Sequence, residues 1–340
     1  MKGQKIILDH VEGREAAALV TDGQLDDLLI DTDTPRPGTI YRAIADRPVK
    51  GQGGMFLKTP AGSAFLRQIK GLAPGQSILV QVSGYAEPGK ALPVTQKLLF
   101  KSRYVIVTPE NPGINVSRSI RDEAERDRLL EIAHDVIADR DVGVILRSSC
   151  ENAPDTDIAE DLEHMLAAAA TVTSDAGSEM DTLLEGDGPH VVAWREWVSP
   201  ADIVTEPGGF GAEGVLDALD AVRRSRVSLP GGGAIFIEPT RALVAVDVNT
   251  GPDTSLASGL KANIACAETL PRALRLRGLG GQIVLDLAPM PKKDRRSFET
   301  ALRRAFRNDH IDTALVGWTP LGHYELQRKR LRPPLAEVLA

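Results

Sequence analysis

The chain has 340 residues, 42% hydrophobic and 26% charged, which is the make-up of a globular protein with room for two or three domains. Within Met1–His10 the apolar run is Ile6–Leu8, too short for a signal-peptide core, and no stretch approaches the ~18 apolar residues of a membrane helix. Two cysteines, Cys150 and Cys266, with no CxxC pair and no histidine at ligand spacing, argue against zinc and against a disulfide framework, so a cytoplasmic protein with no membrane partner is expected.

The net charge of −7 conceals a split. From residue 271 onward 14 Lys or Arg face 7 Asp or Glu, a net of +7, which leaves −14 for the first 270 residues. Residues 151–190 hold 11 acids and no Lys or Arg. A basic C-terminal face suits phosphate, and an acidic middle does not. Aromatic residues make up only 4%, so base stacking cannot be spread over a wide surface.

In chain order, residues 1–37 read as short strands (5–9, 16–21, 28–30) separated by Gly, Asp and Pro. Runs at 40–45, 54–57, 63–66, 77–82 and 91–99, divided by Gly- and Pro-containing turns, predict a small barrel over 38–100. The region 101–200 mixes strands at 104–108 and 142–147 with helices at 121–138 and 157–170, and closes in an acidic turn at 175–188. Residues 201–340 alternate: helix 212–224, strands 234–238 and 243–247, helix 255–275, strand 282–287, helix 294–308, strand 312–318. That order predicts an α/β layer with a largely parallel sheet.

Two aspartates stand out by context. Asp247 ends the apolar strand LVAV and Asp286 ends QIVL. In an open parallel sheet, ligands bind beyond the carboxyl ends of the strands. If the two strands are neighbours, both carboxylates meet at one edge, where a cation between them would relieve their repulsion. Hard oxygen ligands suit Mg²⁺, or Mn²⁺ in its place. Asn249, two residues past Asp247, points to the same side. Singly, each is equally well a turn former or a helix cap; the matched pair points to chemistry.

The same residues carry a resemblance. Residues 229–249 (LPGGGAIFIEPTRALVAVDVN), 274–286 (LRLRGLGGQIVLD) and 319–330 (TPLGHYELQRKR) resemble the nuclease segments of the ribonuclease E/G family. Residues 77–100, with LPVTQK at 92–97, are similar to that family's S1 RNA-binding barrel. Residues 104–113 (YVIVTPENPG), 117–121 (SRSIR) and 142–148 (VGVILRS) resemble its 5′-end sensor.

The resemblance implies an α+β multidomain protein. An S1-type OB barrel (38–100) and a 5′-sensor unit (101–200) would accompany an α/β (RNase H-like/DNase I-like) nuclease domain (201–340), with residues 1–37 packing on its RNase H-like part. It also implies a Mg²⁺-dependent endoribonuclease that cuts single-stranded RNA to 5′-phosphate and 3′-hydroxyl ends in RNA processing or decay. Asp247 and Asp286 would be the metal ligands, with Asn249 supporting catalysis. Arg147 and Ser148 would hold a 5′-monophosphate.

Departures from the family pattern are visible. No cysteine follows the nuclease segment, so a homo-oligomer, if formed, would not use the family's zinc link. Thr250-Gly251-Pro252 lacks a nearby arginine, and Leu287-Ala288-Pro289 lacks a further acid. The alternative reading is therefore an RNA-binding protein of this fold with weakened catalysis, and a DNA nuclease is a third.

For RNA contacts, the C-terminal cations Arg275, Arg277, Lys292, Lys293, Arg295, Arg328 and Arg330 are candidates, with Lys292 and Lys293 favoured by position and Arg328 and Arg330 by the resemblance. In the barrel, Phe56 is a stacking candidate, Phe65 reads as core, and Lys90 after Pro88-Gly89 can touch the backbone. GFGAEG at 209–214 fits GxGxxG formally but lacks the strand before it. The histidines read as structural, with only His323 near a motif.

Overall fold

A computed structural model describes residues 3–49, 53–69, 71–87, 89–253, 255 and 257–339. Pro88, in the turn before Lys90, lies outside the described residues, as does Leu256 at the start of the helix predicted from 255. The chain forms two units: one from residues up to Asp31 together with those from Pro200 on, the other from Thr32–Ser199. It is an α+β protein with a closed barrel and an α/β layer.

The chain begins with an antiparallel meander, β1 (Gln4–Val11), β2 (Arg14–Thr21) and β3 (Gln24–Ile30). The second unit starts with the barrel: β4 (Ile40–Val49), β5 (Gly54–Thr59), β6 (Gly62–Leu66), β7 (Ser77–Val82) and β8 (Leu92–Thr95). These run in the order β4-β5-β6-β8-β7, and pairing of β4 with β7 closes the five strands. The period-2 rule sorts the side chains. Met55, Leu57, Ala64 and Leu66 fill the barrel, so Phe56 and Phe65, a directly opposed pair, both point outward. Their rings lie 5.3 Å apart and half-exposed. Phe65 is thus a surface residue, against the expectation that it fills the core.

Next come β9 (Phe100–Lys101), β10 (Val105–Thr108), β11 (Gly113–Val116), α1 (Glu123–Ile137) and β12 (Gly143–Leu146). Asp122 caps α1 by accepting a bond from the Ala124 amide at 3.0 Å. The four strands make one sheet, in which β11 and β12 are parallel. α2 (Asp155–Thr173) follows, and its apolar stripe, Ile158, Leu162, Leu166 and Ala169, joins the core over this sheet.

The acidic stretch is more ordered than an acidic turn. Residues Asp181–Leu184 form β13, which pairs with β4 at the barrel. Asp175 accepts two bonds from the Arg42 guanidinium, at 2.6 and 3.0 Å, so part of the negative charge is neutralised by the barrel itself. The unit ends with α3 (Pro189–Glu196).

The first unit resumes with β14 (Asp202–Val204), which pairs parallel with β1. α4 (Gly209–Ala212) and α5 (Val215–Val222) replace the single helix predicted at 212–224, because the chain turns through Gly214 at φ 73°. Then come β15 (Arg226–Ser228), β16 (Ala234–Pro239), β17 (Val244–Asn249), α6 (Ser258–Leu276), β18 (Gly281–Asp286), α7 (Arg295–Arg307), β19 (Thr313–Trp318) and β20 (Tyr324–Arg328).

The six-stranded sheet runs β15-β16-β17-β18-β20-β19. Only β17 and β18 pair in parallel; the other four pairings are antiparallel. The expected parallel sheet fails because β15, β16 and β17 form an antiparallel meander and because β20, absent from the predicted strands, inserts between β18 and β19. One face carries the core: Ile235, Ile237, Val244, Val246, Ile283, Leu285 and Leu326 pack with Cys266, Leu270 and Leu274 of α6 and Phe298 and Leu302 of α7. Burial pushes the Cys266 thiol up to about 12, which keeps it protonated and inert.

A second feature of this unit is a buried charge network. Arg275 of α6 pairs with Asp26 at 2.8 Å and with Asp309; Arg328 of β20 pairs with Asp309 at 2.6 Å; Arg332 pairs with Asp27, as the Nη2–Oδ2 contact at 3.0 Å shows. The side chains of Arg328, Asp309 and Asp27 are 0%, 1% and 2% exposed, so these charges have almost no recourse to water.

Candidate active site

In β17 the side chains of Val244, Val246 and Val248 are buried, so Ala245, Asp247 and Asn249 face outward. In β18 Ile283 and Leu285 are buried, so Gln282, Val284 and Asp286 face outward. The parallel register sets Asp247 directly opposite Asp286. Neighbouring strands lie ~4.8 Å apart, so both carboxylates leave one face at the carboxyl ends of adjacent strands. Both are exposed. The separation is fixed by the sheet, and no loop has to close to bring the acids together.

The turns flanking the pair are tightly packed. Gly251, at φ 67°, follows Asn249, and a Cβ there would sit 2.3 Å from the Gly232 carbonyl oxygen. The glycines at 231–233 and at 251 therefore let two turns stack beside β17. On the other side, His323 Nδ1 lies 3.3 Å from Asp286 Oδ1. The His323 amide donates to Thr319 Oγ1 at 3.1 Å, which fixes the turn that presents the ring. His323, read from sequence as structural, is at the site.

A residue that sequence reasoning passed over supports Asp286 from behind. Asn263 of α6 is fully buried; its Nδ2 donates to the Ala288 carbonyl at 2.9 Å and its Oδ1 accepts from the Ala288 amide at 3.0 Å. Both backbone groups two residues past Asp286 are thus held by one amide. Gly259 completes the seat, since a Cβ there would meet the Pro289 carbonyl oxygen at 1.9 Å. The available signal was an Asn among Ile, Ala and Cys on a buried helix face. Asn263→Ala leaves two buried backbone groups unpaired, and a loss of ~1–3 kcal/mol in thermal or urea unfolding is expected. Asn263→Asp would keep one of the two bonds and recover part of that loss.

The donor set is the carboxylate pair, with the His323 imidazole nitrogen set against Asp286. Among the described residues no group of three His, Cys, Asp or Glu is arranged to hold a metal. Cys150 and Cys266 are both buried free thiols and far from ligating anything. A hard divalent cation that keeps most of its own waters fits such an open carboxylate pair; a closed tetrahedral zinc site does not.

The basic candidates separate by burial. Lys292 and Lys293 form an exposed turn shortly after Asp286. Arg330 is exposed, its guanidinium lying over Gly281, where a Cβ would come within 2.4 Å of Nη2. Arg328 is withdrawn from phosphate contact: it shares the inward parity of Tyr324 and Leu326, donates to Thr313 Oγ1 at 2.8 Å and neutralises Asp309. Arg275 and Arg277 are buried as well, the latter donating to the carbonyls of Ala273 and Arg224. Arg295 stacks on Trp318, 4.1 Å from the ring centroid.

In the other unit, Phe56 carries the Arg47 guanidinium 4.9 Å from its centroid, giving the barrel surface an aromatic pair with a cation above it. Lys90 is exposed and lies 3.0 Å from Glu87. Arg147 follows β12 and Ser148 opens a short 3₁₀ turn. Because β11 runs parallel to β12, Ser117 follows its strand beside them, its amide bonded to the Leu146 carbonyl at 2.8 Å. The Arg147 guanidinium is already engaged, donating to the Ser102 carbonyl at 2.6 Å and to Glu196 at 2.5 Å. Burial pushes the Glu196 carboxyl up, but Arg147 and Arg195 outweigh that and hold it below the usual carboxylate range, so it stays charged.

Comparison with known proteins places these features. The ribonuclease E/G family model matches residues 100–204 and 203–331. A ribonuclease E of Nostoc sp. is 28% identical over 94% of this chain and 55% of its own length, and one of Synechocystis sp. is 28% identical over 96% and 57%. A ribonuclease G of Escherichia coli is 24% identical over 98% of this chain and 81% of its own. The chain thus spans a little over half the length of these ribonuclease E relatives and four-fifths of the ribonuclease G. With the family model covering the sensor-like sheet and both aspartate strands, the chain belongs to the ribonuclease E/G family.

Proposed function

We propose that the protein is a Mg²⁺-dependent endoribonuclease that cuts single-stranded RNA to 5′-phosphate and 3′-hydroxyl products, in RNA processing or decay. The observation that carries this reading is the in-register pair of Asp247 and Asp286 on an open sheet face. The relatives' names, ribonuclease E and ribonuclease G, support the substrate class.

Asp247 and Asp286 would hold the cation, which when bound polarises a phosphoryl oxygen and lowers the pKa of a coordinated water. The sheet sets their spacing, so the centre is organised before RNA arrives. Asn249, on the same face one pleat further, is placed to orient a water or the Asp247 carboxylate. His323 fixes the rotamer of Asp286. The clamp from Asn263 to Ala288 keeps the chain beyond Asp286 from shifting.

RNA would be gathered by two surfaces. On the barrel, Phe56 and Phe65 offer stacking faces, and Lys90 and Arg47 offer charge. Beside the carboxylates, Lys292, Lys293 and Arg330 offer phosphate contacts. For a 5′-monophosphate, Arg147 and Ser148 are the groups proposed, and the phosphate would have to displace Glu196 from Arg147.

The test is incubation of a 5′-monophosphorylated, A/U-rich single-stranded RNA with the protein in Mg²⁺ or in EDTA, followed by analysis of the product ends. Cleavage in Mg²⁺ alone, with ligatable 5′-phosphates on the downstream fragments, is the expected outcome. Tight binding without cleavage under Mg²⁺ or Mn²⁺ would instead establish an RNA-binding protein of this fold.

A further inference from the structure

The open face of the six-stranded sheet holds one cross-strand row with an unusual make-up. Register pairs Arg226 of β15 with Phe236 of β16, Phe236 with Asp247 of β17, and Asp247 with Asp286 of β18. His323 then lies against Asp286. Read across the sheet, the row is a guanidinium, a phenyl ring, two carboxylates and an imidazole. Side chains opposite one another in a sheet share a face.

Phe236 does not serve the interior. Its neighbours Ile235 and Ile237 are buried in the core under α6 and α7, which turns Phe236 to the opposite, open face. It belongs to none of the hydrophobic clusters, and it is half-exposed between two exposed charged residues, Arg226 and Asp247. An aromatic ring kept on an open face beside a pair of acids has a surface to offer and no core to fill. Arg226 sits on the edge strand, exposed, and its side-chain bond among the described residues goes to Ser228 Oγ at 2.9 Å, which leaves its charge uncompensated by any carboxylate there.

We propose that Phe236 and Arg226 form a nucleotide subsite beside the carboxylate pair, in which Phe236 stacks the base adjoining the scissile phosphate and Arg226 takes the next phosphate along the strand. The subsite rests on the nuclease reading above. Arg226 stands two strand spacings from Asp247, ~10 Å at the backbone, and its long side chain covers the interval to a neighbouring phosphate. The ring carries no donor or acceptor, so it selects for a stackable base and not for one base over another. The RNA would then cross the sheet roughly perpendicular to the strands, with its charge relieved at Arg226 and its reacting phosphate at the acids.

Wild type is first used to map cleavage in a single-stranded 12-mer RNA. The same 12-mer, carrying 2-aminopurine at one position at a time, is then titrated in Mg²⁺ into Asp286→Asn and into Asp286→Asn/Phe236→Ala. The expected result is quenching at one position next to the mapped bond, lost with Phe236→Ala and restored with Phe236→Tyr, while the melting temperature stays unchanged. Arg226→Gln is expected to reduce the slope of log K against log salt by about 0.7, the value of one phosphate contact on a single strand. In active protein, an abasic nucleotide at that position should slow cleavage by wild type several-fold and leave Phe236→Ala unaffected. Quenching that is identical in the two titrated variants at every position, or an abasic effect equal in wild type and Phe236→Ala, overturns the subsite. If wild type cuts nothing yet a Phe236-dependent quench is found, the stacking site stands and the nuclease reading fails.

Discussion

Asp286→Asn is expected to lower Mg²⁺-dependent RNA cleavage by ~10²–10³-fold or more, the scale seen when one preorganised electrostatic group is removed from an active site. The substitution keeps the shape of the side chain and removes its charge, so the cation loses half of its protein donors. Asp247→Asn should do the same. The two acids act as one unit, and the double variant should therefore be little worse than either single. Both residues are exposed on the open face, so unfolding should move by no more than ~0.5 kcal/mol. RNA affinity in EDTA should be unchanged, because the barrel and the basic turns do not depend on the pair. Cleavage by either variant at wild-type rate would remove the carboxylates from the mechanism.

The largest stability effect is expected from Asp309→Ala. That change leaves Arg328, with a side chain 0% exposed, without its carboxylate and with only Thr313 as a hydrogen-bond partner; its Nε and Nη2 already have none among the described residues. Stripping one member from a buried ion pair costs ~3–5 kcal/mol, because the remaining charge has lost both water and partner. For a unit of this size each kcal/mol moves the melting temperature by ~2–4 °C, which puts the drop near ~10 °C. Asp309→Leu combined with Arg328→Met should recover most of it, since the apolar pair has no desolvation to offset. A loss under ~1 kcal/mol for the single variant would show that water reaches Arg328.

The same network gives an acid limit. Burial drives the Asp27 carboxyl up, but Arg332, Arg275 and His310 outweigh burial and bring it below its ordinary value. A folded-state pKa below the unfolded one means that this stabilisation is present above pH ~4 and lost as the pH falls further. Stability measured between pH 6 and pH 3 should therefore fall at the acid end, and less steeply for Asp27→Asn, which starts from a lower level.

What sequence showed of this molecule depended on whether the information was local. The strands ending in Asp247 and Asp286 were legible because apolar alternation and a terminal carboxylate sit within six residues. Their adjacency was a conditional inference, and the register makes it literal. β20 escaped because Tyr-Glu-Leu-Gln-Arg spends one inward position on an arginine, so its alternation does not read as apolar. That omission hid two of the sheet's four antiparallel pairings. The same substitution of charge for apolar character hid the burial of Arg275, Arg277 and Arg328, which were read as surface cations. The acids that hold Arg275 and Arg328, Asp26 and Asp309, lie outside their own elements, and Arg277 is held by the backbone carbonyls of Ala273 and Arg224, so no local side-chain pattern could reveal them. Asn263 was missed because its partner, the Ala288 backbone, carries no side-chain signal at all.

The unit that contains the carboxylate pair is built from both ends of the chain, with Thr32–Ser199 inserted between them. During synthesis, β1–β3 leave the ribosome long before β14 can pair with β1, and Asp27 appears some three hundred residues before Arg332. At ~5–20 residues per second, that strand meander waits on the order of 15–60 s for its partners, with the inserted unit complete in the meantime. Truncated chains ending before residue 330 would carry both Asp247 and Asp286 yet leave Asp27 without Arg332. The unit that carries Asp247 and Asp286 thus gains this buried ion pair only after Arg332 has been synthesised, well after both acids have been made.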